Sequence, residues 1–187
     1  MTTSFVFEEP ITGEWDARRL SFESEALAHI DMLFRVALHL TANRADADDL
    51  VQETLLKAYQ AWDSYERGTN VQGWLVTILR HHFINSYRRD QRRRELVETN
   101  PAELQEKVAT LPLDDAVDGE IVRAIDALPL PFREVLVLRD IEGLAYDEIA
   151  SALELPAGTV KSRLFRAREI LKERLHDYAV GIGLIQR

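Results

Sequence analysis

Ala47-Asp-Asp-Leu-Val-Gln-Glu-Thr-Leu-Leu-Lys-Ala-Tyr59 decides the fold class. Ala47, Leu50, Val51, Thr54, Leu55, Ala58 and Tyr59 recur at i, i+3, i+4, i+7, i+8, i+11 and i+12, the repeat of one face of an α-helix. Such a stripe needs a core to face. Asp46, Asp48 and Asp49 stand at its amino-terminal end, where the helix dipole favours negative charge. Opposite the stripe, Asp49, Gln52, Glu53 and Leu56 form an acidic face with one apolar residue. It suits either a basic partner helix or water.

Working outward, Phe22 to Thr41 reads as one amphipathic helix through Leu27, Ile30, Phe34, Ala37 and Leu38, ended by a polar break at Asn43–Asp46. Residues 63–70 read as a loop. A helix from about Val71 to Arg93 follows, with Trp74, Ile78, Leu79, Phe83 and Ile84 apolar. Farther along, Ile121, Val122, Ile125 and Leu128 mark a short helix stopped by Pro129, and Pro131 opens another running to about Gly143. Residues 146–153 form a third, and Glu154-Leu-Pro156 turns into a last helix over about 157–178. No segment sustains a period of two, so the chain is expected to be all-α. The boundaries read as a tail at 1–20, a helical domain at 21–94, an acidic linker at 95–117 containing Pro101 and Pro112, a second helical domain at 118–180 and a tail at 181–187.

With 46% hydrophobic residues among 187, the chain can bury a core. It has no cysteine, which excludes a disulfide framework, a thiol nucleophile and cysteine-ligated metal. The first residues lack a basic segment followed by an apolar core, and no apolar run approaches the roughly 18 residues of a membrane span. A cytoplasmic protein without membrane insertion is expected. The five histidines show no metal-ligand spacing, and no phosphate-binding glycine loop or nucleophile motif occurs, so neither catalysis nor a metal or cofactor is expected. The net charge of −9 argues at first against nucleic acid, but the charge is segregated. Six arginines face one acid between Arg80 and Arg94, and six bases face two acids between Lys161 and Arg174. Between these clusters, Glu95 to Glu120 holds eight acids and one lysine. Asymmetry of this kind marks an electrostatic footprint that the total conceals.

Two constellations carry function. A short helix, a three- or four-residue turn and a longer basic helix suit the DNA major groove. In the last helix Val160, Leu164, Ala167 and Leu171 must face the domain core, while Lys161, Phe165, Arg168 and Lys172 share another face flanked by Ser162 and Arg166. This second face offers cations to phosphates and bases, a hydroxyl to either, and an aromatic edge to a thymine methyl. Basic residues on an exposed helix are usually just solvated, but Phe165 within the stripe needs a partner. Thr159 near the helix start can cap or bind a phosphate. The second constellation joins Tyr65 and Asn70 in the loop to His81, Asn85 and Arg88 on the following helix. Aromatic and amide groups beside arginines suit unstacked, single-stranded bases. An ordinary core and surface helix explains the same residues equally well, with Trp62 and Trp74 inside.

Together these residues resemble the extracytoplasmic-function (ECF) sigma factors of bacterial RNA polymerase. Asp46-Ala-Asp-Asp-Leu-Val-Gln-Glu-Thr-Leu-Leu-Lys-Ala-Tyr59 is similar to the family's polymerase-binding stretch, and Trp74–Arg80 with Asn85–Arg89 to its −10 recognition helix. Leu128–Glu134, Glu142–Ala150 and Gly158–Arg168 look like its helix-turn-helix domain 4. The resemblance implies that Asp49, Gln52, Glu53 and Leu56 bind the β′ clamp helices, that the β flap also contacts the protein, and that Tyr65, Asn70, His81, Asn85 and Arg88 capture the −10 element. It implies that Lys161, Ser162, Phe165 and Arg166 read the −35 element, with Thr159 and Arg168 toward phosphates. The acidic linker would run toward the RNA exit path. An anti-sigma factor is the implied regulator, and Glu66–Asn70 with Phe83–Arg88 resembles the subgroup answering thiol-oxidative stress, whose anti-sigma partner commonly holds zinc. A one-component helix-turn-helix regulator is the competing class. It gives residues 46–94 no task and predicts DNA binding by the isolated protein.

Overall fold

The computed structural model describes residues 12–96 and 119–185, and every regular element among them is helical. The linker, apart from its first residues, lies outside the described residues. The first half contains α1 (Thr12–Glu25), α2 (Ile30–Thr41), α3 (Arg44–Gln60) and α4 (Val71–Leu96). The second contains α5 (Gly119–Asp126), α6 (Leu130–Leu136), α7 (Tyr146–Ala152), α8 (Ala157–Arg174) and α9 (His176–Gly181).

The expected tail at 1–20 needs correction, because α1 begins at Thr12. Arg18 anchors it, donating to the Tyr59 carbonyl at 2.7 Å, pairing with Asp63 at 3.2 Å and lying 4.8 Å above the Tyr59 ring. The expected single helix over Phe22–Thr41 is also broken, by a tight turn at Leu27–His29. That break lets Phe22 meet Tyr59 and Trp62 edge-on, each at 5.1 Å, while Ala26 stays buried. Next, Ala42 adopts the left-handed conformation, closing α2 with its N–H on the Leu38 carbonyl. The Asn43 side chain then accepts from the Asp46 N–H at 3.1 Å and starts α3. The two helices fold back on each other, and Ala47, Leu50, Val51, Thr54 and Ala58 face inward.

In the second half, Pro129 precedes α6 and Pro156 precedes α8, where a missing N–H costs nothing. Beyond α6 the chain widens over Val137–Ile141, where the Glu142 N–H reaches the Val137 carbonyl five residues back at 3.0 Å. The Glu148 carboxylate accepts from the Ala145 N–H at 2.6 Å and sets the start of α7. The last helix, expected over 157–178, is interrupted at Leu175.

The halves touch directly. Helix α4 packs on α3 with one side and on α7 with another, and α2 meets α5 and α6. Val36, Leu40, Val76 and Leu79 from the first half meet Val137, Leu138 and Leu153 from the second around a void of about 10 Å³, barely room for one water.

Candidate nucleic-acid interface

Helix α8 turns Val160, Leu164 and Ala167 into the core and leaves Lys161, Ser162, Phe165, Arg166 and Arg168 exposed. Phe165 is 63% exposed, an unusual position for an aromatic ring in a basic stripe. Tyr146 of α7 supports the edge of this surface, its ring lying under Lys161 Nζ at 5.7 Å and Arg139 at 4.9 Å. Thr159 is not the cap, since α8 starts at Ala157. Its N–H bonds the Pro156 carbonyl within the first turn, and Ser162 donates to its carbonyl. Arg168 does not project freely toward phosphate. It holds Asp140 through two bonds, Nε at 3.0 Å and Nη2 at 2.6 Å, and that pairing raises the guanidinium pKa. Its geometry ties α8 to the widened turn after α6.

On α4 the structure separates the five residues expected at one site. Tyr65 is only 7% exposed: it stacks on Trp62 at 5.1 Å and meets Trp74 at 5.0 Å, and its hydroxyl donates to the Thr69 carbonyl. Sequence position could not show that the ring completes an aromatic cluster. Asn70 spends its side-chain oxygen on the Gly73 N–H at 3.2 Å, which caps α4. His81, Asn85 and Arg88 remain together as an exposed row at helical spacing.

The outer face of α3 presents Asp49, Gln52, Glu53 and Leu56, all exposed, Leu56 by 51%. A groove of about 1130 Å³ brings part of this face beside α4, with Asp49 and Glu53 on one wall and Asn85, Arg89 and Arg92 on the other. The acidic face and the arginine-bearing helix therefore border one depression. No group of three potential metal ligands occurs among the described residues, and no described helix is long and apolar enough to cross a membrane.

Sequence reading did not foresee one set of contacts: Arg35, His39 and Arg80 meet Glu142, Asp126 and Glu134 across the boundary between the halves. A signal existed. Trp74, Leu75, Val76, Ile78 and Leu79 make the start of α4 apolar on more than one side, as a helix buried twice must be.

Comparison with known families places a sigma-70 region 2 match at residues 26–93 and a sigma-70 region 4 match at 118–171. The chain is 39% identical over 166 residues to the ECF RNA polymerase sigma factor EcfG of Rhodopseudomonas palustris, covering 87% of this chain and 90% of that protein. It is 35% identical over 174 residues to the ECF RNA polymerase sigma factor SigE of Mycolicibacterium smegmatis, covering 90% of this chain and 66% of that longer protein. Its fold is similar to that of the sigma factor RpoE co-crystallised with the anti-sigma factor NepR from Bartonella quintana, with TM-score 0.75, 30% identity, and 83% and 97% of the two chains covered.

Proposed function

Because the chain belongs to the ECF RNA polymerase sigma factors, we propose that it binds core RNA polymerase in the cytoplasm and directs it to promoters as a transcription-initiation factor, not as an enzyme. The observation that carries this reading is the α8 surface, where Lys161, Ser162, Phe165 and Arg166 stand exposed over a buried apolar stripe. Cations position such a helix on phosphates, and the side chains on its groove-facing side select bases. We assign the −35 element to these four residues, with Thr159 contributing through its place in the first helical turn.

The exposed row His81, Asn85 and Arg88 takes the unstacked bases of the −10 element. Asn70 and Tyr65 act behind it, one by capping α4 and the other by bracing the loop between α3 and α4. Asp49, Gln52, Glu53 and Leu56 engage a basic, partly apolar surface of the polymerase, the clamp helices of β′, while the β flap meets the second half. An anti-sigma factor regulates the protein, a role supported by the complex of the similar sigma factor RpoE with NepR. The finer reading, control by thiol-oxidative stress, rests on the segments 66–70 and 83–88. The chain has no cysteine, so the sensing thiol belongs to the partner.

Run-off transcription with purified core enzyme and a promoter library tests the reading. Start-site-specific RNA that depends on the protein is expected. Lys161→Ala with Arg166→Ala abolishes −35-dependent RNA synthesis while core binding persists, whereas Glu53→Lys weakens the polymerase complex. A wild-type protein that neither binds core nor directs specific initiation refutes the assignment.

A further inference from the structure

One lysine of the α8 surface is held from the neighbouring helix. Tyr146 is the first residue of α7, and its half-buried ring lies 5.7 Å from Lys161 Nζ and 4.9 Å from the Arg139 guanidinium. Both separations are within reach of a cation–π contact. The surroundings of the ring are fixed by hydrogen bonds. Glu148 accepts from the Ala145 N–H at 2.6 Å and so sets the turn that delivers Tyr146. Arg139 donates Nη1 to the Leu144 carbonyl at 2.7 Å, so this cation has its own acceptor. Arg168 grips Asp140 at 3.0 and 2.6 Å, and Tyr146 adds to the rise in the Arg168 pKa that Asp140 dominates. Lys161 is placed differently. It is exposed, and among the described residues its ammonium pairs with no carboxylate and touches only the Tyr146 ring.

We propose that Tyr146 is a positioning residue for promoter binding, its ring directing the Lys161 ammonium toward the −35 element before DNA arrives. This role rests on the −35 assignment of α8 and adds to it a residue of the preceding helix. A lysine carries a compact charge on four flexible carbons and loses rotamer freedom when it settles on one acceptor. A ring that already holds the ammonium removes part of that loss from the binding step. It also holds the cation without neutralising it, since an aromatic face attracts through its quadrupole and carries no net charge. Arg168 shows the opposite arrangement on the same helix. Bound to Asp140 through two bonds, it fastens α8 to the turn after α6, and its charge is spent within the protein. Lys161 keeps its charge for the duplex, and Tyr146 gives that charge a direction.

The test is a double-mutant cycle on the full-length chain with core polymerase, read as affinity for a promoter fragment carrying the −35 element. Tyr146→Leu should weaken binding about two- to fivefold, the factor that a cation–π contact at an exposed site supports. The log–log salt slope should stay at its wild-type value, because Lys161 still reaches its contact. Tyr146→Phe keeps the ring and should bind within about twofold of wild type. In a Lys161→Ala background, Tyr146→Leu should cost nothing further, a result that a purely structural tyrosine would not give. Tyr146→Met supplies the same comparison if Tyr146→Leu does not fold. Equal losses with and without Lys161, or a Tyr146→Phe protein as weak as Tyr146→Leu, would overturn the positioning role and leave the −35 assignment standing. A Lys161→Ala complex that binds the promoter as well as wild type would overturn both the −35 role of that lysine and the role of the ring behind it.

Discussion

Glu134 meets Arg80 in a place that excludes water, and burial pushes its carboxyl pKa above the ordinary 4.5 against the pull of Arg80. Between that ordinary value and the raised one, the folded chain holds a proton that the unfolded chain has released. Stability therefore falls as pH rises through this window, and the contribution is complete below 4.5. Glu134→Gln keeps an acceptor for Arg80 in neutral form, so thermal unfolding should lose that slope in weakly acidic buffers. A variant whose slope matches the wild type would assign it to other groups. Two aromatic residues give a sharper contrast. Trp62→Ala removes a buried ring whose Nε1 donates to Ser21 at 2.8 Å, and should cost about 3–5 kcal/mol in denaturant unfolding. Phe165→Ala removes an exposed ring and should change stability by no more than about 0.5 kcal/mol. Its loss should appear in −35-dependent transcription instead.

At the scale of elements, the α2–α3 hairpin turns on Ala42, whose φ of 52° is left-handed and disfavours any side chain with a Cβ. Ala42→Gly relieves that strain and should stabilise the protein by roughly 0.5–1 kcal/mol, read from the urea midpoint at unchanged slope. The helices themselves were legible because periodicity reports burial: the stripe of α3 and that of α8 both face the core as their spacing requires. Interruptions were less so. The turn at Leu27–His29 and the break at Leu175 occur without proline or glycine, and the first follows from Phe22 packing on Tyr59 and Trp62, a contact between residues distant in sequence. The site divided along the same line. Exposed rows such as His81, Asn85 and Arg88 follow from spacing, whereas the inward turn of Tyr65 and the capture of Arg168 by Asp140 depend on tertiary neighbours.

Taken whole, a chain of net charge −9 is repelled by DNA, and its two basic surfaces need a scaffold that holds them against the duplex. For the polymerase complex, promoter affinity should fall steeply with salt, and Lys161→Ala should lower the log–log slope by about one counterion. An unchanged slope would remove that lysine from the phosphate contacts. The joining surface has a consequence for recombination as well. Since one half supplies only the acids to the two arginine ion pairs and to the His39–Asp126 hydrogen bond, and the other supplies only their basic partners, neither half carries a complete set. A chimaera that inherits its carboxyl-terminal half from a relative receives Asp126, Glu134 and Glu142 from one parent and the positions answering them from another. Such a hybrid can keep the exposed faces of α4 and α8 intact and still leave Glu134 and Glu142 buried without a cation, so mismatched parents should yield proteins of lower stability.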